Sequence, residues 1–374
     1  MSFTWSSPTR IVFGEGSLAR LPALLEEVAG PGARVFLVTG RTSLKASGIR
    51  DRVLDGLGAS RVIVFDEVPP FPSPDVPDRA VAALRASGAE VVVAIGRGSA
   101  MDVAKSAALL ATHDGAAREY GERRREFERP GLPVIAAPTT SGSSSEVTPF
   151  AALWDVGAKR SLHLATPRLF PAVALVDPEL ALGMGPELAA VTGVDAFTSA
   201  FESYWSREAG PLSDALNLEV IRLYASHLER SCLEADRAAR AACALAATVS
   251  GMAYSNSRPN VCHAVSSPLT LFWGVAHGQA VGVTLPAFLL WNAPAIALKL
   301  PALWRALGVD GLDAATTRIT ELMARCGLAT RLRELGLGAG DVETLVEHMR
   351  WDRTAVLLRP LGKEDARAIF RALL

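Results

Sequence analysis

The sequence predicts an α/β unit built on a parallel sheet, followed by an all-helical unit. Three observations predict it. Short β-branched runs alternate with helical patterns through the first half of the chain. Several of those runs are apolar on both faces, as expected of parallel strands covered by helices. After Asp177-Pro178 strand-like runs become few and amphipathic helical spacing takes over. With 374 residues the chain has room for two domains of ordinary size. These are expected at residues 1–182 and 183–374, with the boundary near Gly183.

The expected strands are Arg34–Thr39, Arg61–Phe65, Val91–Ile95, Pro133–Ala137 and Ala172–Val176. Pro77–Ser87 has helical spacing and joins the second strand to the third, which makes a βαβ unit. Pro69–Pro74 reads as a proline-punctuated loop between them. In the second half, Pro211–Cys232 and Ala235–Met252 read as amphipathic helices. A ligand cleft is expected between the two units.

Composition narrows the class of partner. A hydrophobic share of 49% and a charged share of 21% suit a globular protein with a substantial core. The net charge of −1 gives no basic footprint for nucleic acid. The start, MSFTWSSPTRIVFGEG, lacks the basic segment and apolar run of a signal peptide. The apolar stretch Val275–Leu298 is interrupted by His277, Gln279, Pro286 and Asn292, and is expected to fall short of a membrane span. Cys232, Cys243, Cys262 and Cys326 have no CxxC spacing and read as reduced thiols. A cytoplasmic location is expected.

Two loops carry a nucleotide signal. The strand VVVAI runs directly into Gly96-Arg97-Gly98-Ser99 and then into helical spacing that includes Asp102. Small residues at such a junction let backbone N–H groups and a helix N-terminus approach a pyrophosphate. Ser99 is expected to cap that helix. The next strand ends in Pro138-Thr139-Thr140-Ser141-Gly142-Ser143-Ser144-Ser145-Glu146-Val147-Thr148. Its seven hydroxyl side chains around one glycine offer donors to a ribose, a phosphate or a nicotinamide amide.

GRGSAMDVAK resembles the GGGSxxDxAK signature of the iron-containing (group III) alcohol dehydrogenases, and PTTSGSSSEVTPF resembles that family's PTTxGTGSEVT loop. The resemblance continues through DPEL, GVDAFTSAFESYWS and HAVSSPLTLFWGVAHGQAV, over nearly the whole chain. It implies a Rossmann-like nucleotide domain and a helical metal domain, an architecture shared with dehydroquinate synthase. It also implies an NAD(P)-dependent alcohol dehydrogenase or aldehyde reductase, and a homodimer.

The resemblance further implies a four-ligand metal site, whose matching positions here are Asp195, Ser199, His263 and His277. Serine is a poor ligand, and Ser267 stands where the family carries another histidine. The remaining Asp195, His263 and His277 with one open position fit catalytic zinc. Zinc is therefore favoured over iron, with absence of metal left open. Such a metal would polarise a carbonyl while hydride arrives from nicotinamide. Without it, His263 or His277 would supply the proton to the nascent alkoxide. His113, His163, His227 and His348 show no ligand pattern.

The first strand ends Val38-Thr39-Gly40-Arg41. NAD-preferring relatives carry aspartate where Gly40 stands, and Arg41 offers a fork-shaped cation for a 2′-phosphate. NADP(H) is favoured over NAD(H). Cofactor contacts are expected from Gly40, Arg41, Gly96, Arg97, Gly98, Ser99, Asp102, Thr139, Thr140, Ser143, Lys159 and Arg160. EVTPFAALWD, ESYWSREAGPLS and CHAVSSPLT look most similar to phosphonoacetaldehyde reductases. A small anionic aldehyde would need cations, for which Lys159, Arg160 and Arg258 are candidates. Trp154, Trp205 and Trp273 are candidate pocket walls. Ser199 and Ser267, smaller than histidine, would widen the pocket. Two alternatives stay open: a metal-free reductase of a bulkier carbonyl or imine, and a non-catalytic nucleotide-binding relic. Joint retention of Asp195, His263 and His277 argues against the relic.

Overall fold

The computed structural model describes residues 3–374. They form two compact units, Ser7–Met184 and Gly185–Leu374, the latter together with residues 3–6.

The first unit carries β1 (Arg10–Phe13), β2 (Val35–Gly40), β3 (Val62–Val68), β4 (Val91–Gly96), β5 (Val134–Pro138), β6 (Phe150–Asp155), β7 (Arg160–Ala165) and β8 (Val173–Val176). Six of these form one sheet in the order β1-β8-β5-β4-β2-β3, with every pairing parallel. Period-2 alternation sorts the core into two layers. Val35 and Leu37 join Val91, Val93 and Ile95 on one face, against helices Leu21–Ala29 and Ile49–Leu57. Phe36 and Val38 join Val92 and Ala94 on the other, against helices Asp75–Ser87 and Gly98–Leu110. Burying each such aliphatic side chain contributes about 1.5–3 kcal/mol. This two-sided burial is why the central strands read as unbroken apolar runs.

Four of the five expected strands appear shifted by a residue at one or both ends, and β3 runs on to Val68. The first helix of the βαβ unit begins at Asp75 rather than Pro77, with Asp75 and Asp78 in its first turn, where carboxylates complement the helix dipole. Three strands went unanticipated. β1 is only four residues long at the sheet edge, and β6 with β7 makes an antiparallel hairpin that follows the hydroxyl-rich loop.

The second unit is helical. Its site-bearing helices are Pro186–Tyr204, Pro211–Leu233, Arg237–Ser257, Val261–Trp273 and His277–Gly282. The expected helix from Ala235 begins at Arg237, because Asp236 accepts from Ala239 N at 2.7 Å and caps it. Contrary to the sequence expectation, the helical run His277–Leu307 is long and apolar enough to cross a membrane by length and composition, with mean hydropathy 1.6. Pro286, Pro294 and Pro301 sit in the first turns of successive pieces, so they articulate the run rather than end it. In its most apolar stretch 56% is buried inside the protein.

Candidate functional site

Asp195 lies midway along Pro186–Tyr204, His263 near the start of Val261–Trp273, and His277 at the head of His277–Gly282. The three converge on one carboxylate oxygen. His263 Nε2 is 3.4 Å from Asp195 Oδ1, and His277 Nε2 is 3.9 Å from the same atom. One ligand atom from each lies within 4.8 Å of the other two. Two ligands bound about 2.1 Å from a tetrahedral ion stand roughly 3.4 Å apart, so this donor set fits one divalent metal. Asp195 and His277 keep 15% and 32% of their side chains exposed, which leaves a side open.

Close helix contact puts His277 there. A Cβ on Gly278 would fall 1.9 Å from the Val191 carbonyl oxygen, one turn before Asp195. Only glycine lets the short helix lie against that backbone. Gly278→Ala should therefore force the helices apart and destabilise the fold by about 1–3 kcal/mol. Urea unfolding would check this, together with the metal content of the surviving folded fraction.

His263 is held by a polar network behind it. Asn260 Oδ1 accepts from Val261 N at 2.9 Å and from Trp205 Nε1 at 2.8 Å, while its Nδ2 donates to the Glu202 carbonyl at 2.8 Å. Trp205 is thus a core anchor, not a pocket wall; its indole is fully buried. Glu202, two turns beyond Asp195 on the same face, was not singled out in the sequence. Its Oε2 takes a short hydrogen bond from His263 Nδ1, and its Oε1 accepts from the backbone N–H groups of Cys262 and His263. Holding Nδ1–H on Glu202 turns Nε2 toward Asp195, the ring atom that would face a metal. Burial opposes charge on His263, but Glu202 and Asp195 hold it up to about 9. His277, with burial dominant, falls to about 4. Burial also works against the Asp195 carboxylate, yet the two imidazoles keep it below its ordinary value.

Pro268 sits inside the His263 helix. It has no N–H to give the Ala264 carbonyl. Arg350 N donates to that oxygen instead, at 3.0 Å, and ties the 350–356 segment beside His263. Ser199 and Ser267 are buried one turn beyond Asp195 and His263, so histidine at either position would share a face with the ligand.

In the first unit, Gly40, Gly96 and Thr139 stand at the carboxyl ends of the adjacent strands β2, β4 and β5, where open parallel sheets bind ligands. Thr139 N donates to the Gly96 carbonyl at 2.9 Å. A Cβ on Gly98 would fall 2.6 Å from both Cβ and Oγ of Ser143, so the two expected nucleotide loops touch and glycine is required. Ser99 is not the cap. The helix opens at Gly98 with Arg97 as N-cap and no side-chain cap bond, which leaves first-turn N–H groups unclaimed by a side chain. Asp102 turns to the second loop: it accepts from Ser145 Oγ at 2.6 Å and Ala152 N at 3.0 Å. Fully buried Lys105, missed in the sequence, donates to the carbonyls of Ser145 at 3.0 Å and Thr148 at 3.2 Å. Burial brings that ammonium down to about 8. Arg41 is exposed at the end of β2, its Nε donating to the Glu67 carbonyl at 3.4 Å.

Two of the expected substrate cations stand beside carboxylates. Arg160 pairs with Glu122 and stands 3.6 Å from Asp155, and Lys159 lies in the β6–β7 turn at φ +50°. Arg258 is 3.5 Å from Glu208 with 65% of its side chain exposed. Trp154 is buried in the hairpin, edge-on to Phe71 at 5.1 Å.

Comparison with known proteins agrees with this arrangement. Residues 8–178 match the model of the iron-containing alcohol dehydrogenases, and residues 189–374 match that of the family's C-terminal domain. A phosphonoacetaldehyde reductase of Streptomyces viridochromogenes is 37% identical over 76% of this chain and 74% of its own. A lactaldehyde reductase of Escherichia coli is 30% identical over 90% of both chains. The crystal structure of a sulfoacetaldehyde reductase from Bifidobacterium kashiwanohense in complex with NAD+ superposes with a TM-score of 0.94, at 29% identity, over 100% of this chain and 99% of that one.

Proposed function

The chain belongs to the iron-containing alcohol dehydrogenase family, and from that premise we propose that it reduces a small anionic aldehyde to the alcohol with NADPH. Its enzyme class, an alcohol- and aldehyde-reducing oxidoreductase, follows from the family. The observation that carries the proposal is the convergence of Asp195, His263 and His277 with Glu202 behind His263. Those three side chains would hold a divalent metal, with zinc favoured by two imidazoles, one carboxylate and an open position. A metal held there would supply Lewis-acid activation of the carbonyl oxygen, and a bound reduced nicotinamide would supply the hydride.

The chain's own residues do the positioning. Glu202 accepts a hydrogen bond from His263 Nδ1–H and so fixes the ring plane, with Nε2 turned toward Asp195. Asp195 supplies the negative charge between the two imidazoles. Gly98 and the Thr139–Ser143 loop would receive the nucleotide phosphates on backbone N–H and hydroxyl groups. The similarity to phosphonoacetaldehyde and sulfoacetaldehyde reductases supports an aldehyde with an anionic end.

Metal content tests the centre. Protein purified without oxygen or chelator should carry near-stoichiometric zinc or iron; protein that stays metal-free after incubation with either ion would overturn the reading. Gly40 tests the nucleotide. Gly40→Asp should shift the NADPH-to-NADH ratio of kcat/KM toward NADH by at least about tenfold, the effect of about 1.4 kcal/mol. An unchanged ratio would count against NADPH selection at Gly40 and Arg41.

A further inference from the structure

Of the three cations read from the sequence, Arg160 and Arg258 stand beside carboxylates, so neither is an unpaired cation for an anionic substrate at the Asp195–His263–His277 cluster. A fourth is. The segment Trp351–Val356 is tied to the site from both ends. Arg350 N holds the Ala264 carbonyl next to His263, while Arg207 N donates to the Val356 carbonyl at 2.7 Å, just beyond the helix that carries Asp195 and Glu202. Arg353 lies in the middle of this segment and is half-buried.

The segment packs against the helix that carries His263, which keeps Arg353 within electrostatic range of the cluster. Arg353 acts on His277, and Glu202, Asp352 and Tyr254 act on Arg353. Yet its guanidinium forms no hydrogen bond and no ion pair among the described residues. The two nearby carboxylates are committed elsewhere. Glu202 serves His263 and the N–H groups of Cys262 and His263, and Asp352 is gripped by Arg350 through contacts of 2.8 and 2.7 Å. Burial and Arg350 bring the Arg353 guanidinium down to about 10, so it stays cationic at neutral pH. A half-buried cation without a protein anion is costly unless a ligand completes it. The planar fork of guanidinium matches a tetrahedral oxyanion, which it can meet with paired N–H donors.

We propose that Arg353 binds the phosphonate or sulfonate end of a short aldehyde whose carbonyl lies at the Asp195–His263–His277 cluster. This deepens the aldehyde-reductase reading and rests on it. The residue selects among substrates: it rewards an oxyanion a short carbon chain away from the carbonyl and gives nothing to an uncharged aldehyde of equal length.

The test uses zinc-loaded full-length protein, wild type against R353Q and R353K. Calorimetry with methylphosphonate, which needs no turnover, should find binding to R353Q weaker by roughly 10- to 100-fold, the loss expected for a charge-assisted pair. R353K should fall between, since it keeps the charge and loses the fork. In turnover, the ratio of kcat/KM for phosphonoacetaldehyde over propionaldehyde should fall by the same factor in R353Q, chiefly through KM. The same ratio with sulfoacetaldehyde decides which oxyanion is preferred. Equal methylphosphonate affinity in wild type and R353Q overturns the inference, as does an equal fall for charged and uncharged aldehydes. Wild-type protein that reduces no aldehyde overturns the aldehyde-reductase reading instead, and the calorimetric comparison still decides the role of Arg353.

Discussion

Asp195→Asn should strip the protein of metal and lower aldehyde reduction by roughly 100- to 1000-fold. The magnitude follows from the donor set: structural zinc sites with four ligands are worth about 10–16 kcal/mol, or ~2.5–4 per ligand, and each 1.4 kcal/mol is tenfold. Asp195 matters more than its share because one oxygen serves both imidazoles, at 3.4 and 3.9 Å. Asparagine keeps the shape and removes the charge. The check is elemental analysis of anaerobically purified variant beside steady-state reduction. Stoichiometric metal with full activity would show that Asp195 is not a ligand.

Glu202→Gln should weaken metal affinity by about 10- to 100-fold without touching any ligand atom. The carboxylate accepts three hydrogen bonds, one from the His263 ring and two from backbone N–H groups. An amide has one oxygen, so its NH2 must face a donor. That leaves a buried N–H unsatisfied, at a cost of about 1–3 kcal/mol. Competition with a chelator of known affinity would measure the metal loss, and thermal unfolding of metal-free protein would measure the structural cost separately. A variant with lower melting temperature but unchanged metal affinity would reduce Glu202 to a core residue.

Much of this was legible in the sequence, for identifiable reasons. Strands β2, β4, β5 and β8 are buried on both faces, so their apolar runs announce them. The candidate ligands Asp195, His263 and His277 stand in short sequence motifs. Glu202 escaped notice because an acid seven residues beyond Asp195 looks like any buried helix position until the first turn of the His263 helix is packed over it. Serine's preference for the cap position points to Ser99, whereas the helix opens one residue earlier, at Gly98 after Arg97. Asp102, a cofactor contact by its motif, also ties down the second loop through its bonds to Ser145 and Ala152. Arg353 is far from His277 in sequence, and no local pattern could have joined them. The hairpin β6–β7 was hidden by the hydroxyl-rich loop that runs into it.

The proline in the His263 helix has a consequence for anyone redesigning this protein. By propensity alone, Pro268→Ala repairs a helix and should gain up to ~3 kcal/mol. Here the repair would install a rival. A new N–H at position 268 would compete with Arg350 for the Ala264 carbonyl, and the more regular the helix became, the looser the grip on the chain that carries Arg353. Local regularity and the distant tether draw on the same acceptor, so the defect works as a socket, and stabilising the helix would unplug it.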